Sequence, residues 1–154
     1  MPLPMKYAII SCFLLLTACL VDNKTYPLKM GSLHKIDQNY QLIVSTEINL
    51  DELNTKQEFT EQQFIGEIKN RDFRDKSIII TGTFDTKNQK KIEIRYFYTV
   101  DLMITDREKQ KDLTYQLTEK DTISGFLQLS YEMGRTYPTK SIDLPADLFL
   151  SASK

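Results

Sequence analysis

Lys91-Ile92-Glu93-Ile94-Arg95-Tyr96-Phe97-Tyr98-Thr99-Val100-Asp101-Leu102-Met103 carries the clearest alternation in the chain. Ile92, Ile94, Tyr96, Tyr98, Val100 and Leu102 share one parity. Lys91, Glu93, Arg95, Thr99 and Asp101 share the other. A period of two with one apolar side predicts a β-strand packed on one face. Working outward, Tyr40, Leu42, Val44, Thr46 and Ile48 repeat the pattern. So do Ile123, Gly125, Leu127, Leu129, Tyr131 and Met133. Ser77–Phe84 and Ser141–Leu144 read as further strands, as do Leu113, Tyr115 and Leu117. Asp85–Gln89, Glu119–Asp121 and Gly134–Pro138 read as turns. One helix is expected at Thr60–Asn70, where Thr60 and Gln63 fit a capping box and Phe59 and Phe64 a hydrophobic staple. Gly66 weakens that helix by about 1 kcal/mol. Leu148-Phe149-Leu150 is expected to dock as a short cap. The fold class expected is therefore mainly β: an antiparallel β-sandwich or curled sheet with one short helix.

The first residues read differently. An apolar run after Lys6 closes on Leu16-Thr17-Ala18-Cys19. A positive start, a short apolar stretch and small residues before a junction make a secretory signal. The run is well short of the roughly 20 residues that a membrane-spanning helix needs. With Cys after the small pair, the segment resembles the lipobox of bacterial lipoproteins. That resemblance implies cleavage before Cys19 and lipidation of its sulfur, and usually acylation of the new amino group as well. It implies a membrane-attached protein of the cell envelope. Leu20, in place of the Asp that retains enterobacterial lipoproteins at the inner membrane, favours the outer membrane facing the periplasm in a Gram-negative host. The organisation expected is a signal peptide at 1–18, a lipidated Cys and flexible tether at 19–39, and a single β-rich domain at 40–154.

Composition narrows the function classes. The chain has 154 residues, with 20 Lys and Arg against 21 Asp and Glu. This near-balance carries no electrostatic footprint for nucleic acid. Cys12 would leave with the signal and Cys19 would carry lipid, so no disulfide or thiol chemistry is expected in the domain. The one histidine, His34, falls in the expected tether, which argues against triad or dyad catalysis and against a His/Cys metal site. Along one straight strand Glu93 and Asp101 would stand roughly 26 Å apart, too far for a glycosidase-type carboxylate pair. The expectation is a non-enzyme with no catalytic residues, cofactor or metal.

Aromatic residues are the better lead. Phe97 and Phe126 sit at the off-parity positions of their strands, facing away from the main apolar side; the favoured reading is that the helix at Thr60–Asn70 covers them, and the sharper one that they form an exposed aromatic patch. Tyr131, Arg135 and Tyr137 could join them in a patch for a protein partner. The favoured reading is an anchored accessory or scaffold lipoprotein that binds another envelope protein. An immunity or inhibitor lipoprotein and a carrier of a small apolar ligand are the alternatives.

Overall fold

The computed structural model describes residues 25–69, 78–106, 108, 111–131 and 136–153. Within them the chain runs β1 (Lys29–Ile36), β2 (Asn39–Thr46), α1 (Leu50–Gln57), β3 (Glu61–Ile68), β4 (Ile79–Phe84), β5 (Lys90–Ile92) and β6 (Arg95–Thr105). A 3-10 turn (Thr114–Gln116), β7 (Thr122–Ser130), β8 (Thr136–Pro138), β9 (Ile142–Pro145) and α2 (Ala146–Ala152) follow. All strand pairs are antiparallel. They form one sheet in the order β1-β2-β6-β4-β3-β7-β8, with β5 beside β6 and β9 beside β7. The fold is mainly β, a curled and unclosed antiparallel sheet rather than two stacked ones.

The inner face follows the period-two pattern. Tyr40, Leu42 and Val44 on β2, Tyr98, Val100, Leu102 and Ile104 on β6, and Ile123, Leu127 and Leu129 on β7 are all buried in one cluster. Phe64 occupies its centre. Its backbone pairs with Gly82 on one side and Leu127 on the other. A Cβ built at Gly125 would collide with the tip of the Phe64 ring, closest to Cζ and 2.7 and 2.8 Å from Cε1 and Cε2. Gly82 is equally confined, since a Cβ there would stand 2.7 Å from Val100 Cγ1 and 2.9 Å from the Asp101 carbonyl. Bare backbone at these inward positions lets the ring lie against β7 and lets the sheet wrap around it.

The wrap brings the two edges of the sheet towards each other. β8 and β9 are one strand interrupted by a bulge, since their registers along β7 differ by one residue. Thr139 spans the interruption: its amide donates to the Leu127 carbonyl and its hydroxyl accepts from the Leu127 amide. At the bulge the Lys140 amide turns away and donates to the Tyr26 carbonyl, 2.9 Å distant, just before β1. A bulge commonly re-aims a strand in this way. Residues 29–36, read as tether, are therefore a strand of the sheet. His34 lies on that strand as well, exposed across from Gln41.

Each end of the interior is covered by a helix tied to a buried tyrosine. At one end Phe149 of α2 packs edge-on against Tyr40, with ring centroids 5.1 Å apart. The Tyr40 hydroxyl stands 2.7 Å from Ser153 Oγ and 3.1 Å from Thr114 Oγ1. At the other end the Leu50 amide, in the first turn of α1, donates to the Tyr98 hydroxyl at 2.8 Å.

The helix lies at 50–57, and the expected helix at 60–70 is a strand over the described residues Glu61–Ile68. Asn49 caps α1 by accepting from the Asp51 and Glu52 amides. Acids in its first turn and Lys56 in its last complement the helix dipole. Glu58, at φ 54°, ends it. The capping-box residues after Phe59 instead alternate in a central strand with a hydrogen-bonded neighbour on both sides, and Gly66 there sits against Ile80, where a Cβ would come within 2.8 Å of its Cγ2.

Two further expectations change. The long strand at 91–103 is broken: Glu93, at φ 53°, and Ile94 turn the chain so that Ile92 pairs with Arg95. Pairing with Arg95 puts Ile92 on the outer face and Ile94 lies in the turn itself, so both stand off the inner face, 46% and 71% exposed. Leu113 and Leu117 flank a 3-10 turn, Thr114–Gln116, and are both buried, whereas Tyr115 within it is 65% exposed.

Gly125→Ala should destabilise the domain by about 1–3 kcal/mol through overpacking, read as a lower urea midpoint. Phe64→Leu in the Gly125→Ala background should recover part of that loss. Equal losses with and without the Phe64 ring would show that this contact is not what excludes a side chain at 125.

Candidate functional site

The outer face of the sheet is not uniform. Cross-strand registers line up Met103, Thr81, Ile65 and Phe126 in one row over β6, β4, β3 and β7. All four are half-buried, and the Thr81 hydroxyl is buried with no hydrogen-bond partner. A second row runs Lys29, Ser45, Phe97 and Lys90 over β1, β2, β6 and β5. Phe97 is half-buried there, and the β5–β6 turn extends beyond it with Ile92 and Ile94.

Charge gathers at this second row. From Lys87 to Arg95 the chain carries Lys87, Lys90, Lys91 and Arg95 against Glu93. Arg95 is held inward, donating to the Ser45 hydroxyl and carbonyl at 3.1 Å and facing Glu47 at 3.4 Å. Lys91 Nζ lies 5.3 Å from the centre of the Tyr96 ring. Lys29, Lys87 and Lys90 are exposed.

The residues expected to share one patch do not. Phe97 and Phe126 are on the outer face as expected, but three strand spacings and six residues of register separate them, roughly 24 Å. No helix lies over either from 61–68, because that segment is β3. Tyr131 packs on Phe59 with centroids 4.7 Å apart, and Tyr131 and Tyr137 both flank the core. Arg135 and Cys19 lie outside the described residues. What sequence reading missed is the exposure of Ile92 and Ile94. A chain reversal at Glu93-Ile94, without glycine, asparagine or proline, leaves no turn signal.

The buried polar groups are structural. The Tyr98 hydroxyl donates to Gln89 Oε1 at 2.9 Å while accepting from Leu50. Nearby, the Thr86 amide donates to Gln62 Oε1 and the Asn54 side-chain amide donates to the Thr86 hydroxyl. These bonds tie α1 and the 85–89 turn to the end of the sheet. Burial pushes the Tyr98 phenol up to about 12, against the opposing effect of the Leu50 amide. At the opposite end Lys35 Nζ lies 4.0 Å from Asp112 and donates to Ser153 Oγ at 3.4 Å. The Ser153 hydroxyl itself donates to the Phe149 carbonyl, closing the last turn of α2. Among the described residues no group of three or more His, Cys, Asp or Glu could hold a metal ion. Nor, among them, is any helix long and apolar enough to cross a membrane.

Comparison with protein-family models, with curated proteins and with solved structures found no match for this chain.

Tyrosine titration followed by ultraviolet absorbance should show Tyr115 ionising below the usual phenol range, where Gln116 and Lys111 favour its anion, and Tyr98 ionising well above it, near 12. Because Tyr98 holds its proton more tightly folded than unfolded, its contribution to stability is complete below about pH 10. It is lost as the pH rises from there towards 12. A Tyr98→Phe variant that lost stability with the same slope between pH 10 and 12 would contradict this.

Proposed function

We propose that the protein is a lipid-anchored accessory protein of the bacterial cell envelope, whose β-domain binds another envelope protein without catalysing a reaction. The observation that carries this reading is the Leu16-Thr17-Ala18-Cys19 ending of a short apolar run that follows a lysine. Lipid on Cys19 would attach the chain to the membrane, with only a few residues between the anchor and the first described residue, Thr25.

Two features of the domain support a surface rather than an interior role. Rings of Phe64, Tyr98, Tyr40 and Phe149, all fully buried, occupy the space that an internal apolar ligand would need. The polar side chains at both ends are committed to holding helices. The outer face offers the row from Met103 to Phe126 on four adjacent hydrogen-bonded strands, a rigid support for a protein contact. Phe126 is the aromatic member of that row and the residue best suited to anchor a partner.

The test is crosslinking of the natively lipidated protein in cells, followed by affinity capture and mass spectrometry. One dominant envelope partner is expected. It should be lost with Cys19→Ala and reduced at least tenfold with Phe126→Glu, at an unchanged urea midpoint. Capture of a secreted toxin or hydrolase instead would favour the immunity reading. No enrichment over the Cys19→Ala control would overturn protein binding.

A further inference from the structure

Resting on the lipid-anchor reading, the geometry points to a second membrane contact, the tip of the β5–β6 hairpin. Ile94 and Ile92 enter the interfacial region of the bilayer, and Lys90, Lys91 and Lys29 face anionic headgroups.

Three observations converge there. Ile94, at the turn, is the most exposed large apolar side chain among the described residues, and Ile92 stands beside it. Two isoleucines and a half-buried Phe97 offer far less area than the roughly 800 Å² per partner of a stable protein interface. They match the small apolar insertion typical of interfacial membrane contacts. Second, the segment Lys87–Arg95 carries four cations and one acid in a chain of net charge −1. Arg95 is neutralised by Glu47, but Lys87 and Lys90 are exposed, and Lys29 adds a further exposed cation in the Phe97 row. Such a ring of lysines suits an anionic leaflet.

Third, β1 begins at this end of the sheet. Lys29 shares a register row with Ser45, Phe97 and Lys90. Two strand spacings and three residues separate Lys29 from Ile94, about 14 Å. The ten residues from Cys19 to Lys29 span at most about 36 Å, and the bond from Lys140 to Tyr26 fixes the start of β1 against the domain. A bilayer that holds Cys19 is thus within reach of the hairpin. The exposed pair at the other end of β1, Ile36 and Tyr115, is farther: Ile36 stands seven residues along the strand, about 23 Å from Lys29. A leash and a knob at one end would set the orientation of the domain, turning the Met103–Phe126 row along the membrane rather than leaving it free to rotate.

The test uses the full-length, natively lipidated protein in vesicles of phosphatidylethanolamine and phosphatidylglycerol. An Ile94→Cys variant is labelled with nitrobenzoxadiazole, and a Tyr115→Cys variant serves as the control at the other end. Both positions are mostly exposed, and Cys12 and Cys19 are the only native cysteines. The label at 94 should rise at least twofold in emission, shift to the blue, and be quenched by shallow spin-labelled lipid. The label at 115 should do none of these. Lys90→Glu with Lys91→Glu should abolish the change at 94. Protein that floats with the vesicles while the label at 94 behaves as in water would overturn the hairpin contact and leave the anchor standing. Protein that neither floats nor carries lipid would overturn both.

Discussion

The ring of Phe64 lying on the bare backbone of Gly125 is the contact on which the shape of this domain depends. β3 is a middle strand, and its inward ring meets β7 where a side chain would collide with it. A flat sheet would leave that ring half solvated. A curled one surrounds it, and the confined Gly82 on β4 allows the neighbouring strands to follow. The curl has a topological consequence, because it carries the β8–β9 edge round towards β1. There the bulge after Thr139 frees one amide, that of Lys140, to bond across to Tyr26.

A sheet wrapped this way has two open ends, and each is closed by a different economy of groups. α2 brings a fully buried phenylalanine, while its last turn shares the Ser153 hydroxyl with Tyr40. α1 brings Leu50, fully buried, and spends its first free amide on Tyr98. In both cases a core tyrosine on the sheet supplies the polar atom that a helix end lacks. Outside this interior lie the outer face and the turns. These carry two separated features: a half-buried row ending in Phe126, and an apolar, lysine-ringed hairpin tip beyond Phe97.

Much of this was legible from alternation alone. β2 from Tyr40 to Thr46 and β7 from Ile123 to Leu129 bury the residues that their parity assigns. The 85–89 turn and the last strand also stand where polarity and Pro145 suggest. Failures came where a local signal met a stronger tertiary one. Thr60 and Gln63 look like a capping box, yet a central strand pairs with β7 along 61–68 and with β4 along 63–66, and needs Gly66 bare. Asn49 was the true cap, hidden in a stretch that resembled a break. Ile92 and Ile94 keep perfect parity with Tyr96 in the sequence, but the reversal at Glu93-Ile94 carries Ile92 to the face of Arg95 and leaves Ile94 in the turn. The supposed tether shows little amphipathic period over residues 29–36, because β1 is an edge strand with a bulge between Met30 and Ser32. As for the partner patch, five residues were grouped by type, whereas the registers place Phe97 and Phe126 far apart, and Tyr131 and Tyr137 pack against the core.

That correction to the tether matters most for function, since it decides whether the domain hangs on a long leash or is drawn close to its anchor. Amide hydrogen exchange at Lys140 and along residues 29–36 measures it directly. Strong protection at Lys140 and at the β1 amides bonded to β2 is the result predicted. Free exchange throughout 25–36 would contradict it. The sheet edges would then not meet, and the β-domain would start at Tyr40 on a loose chain.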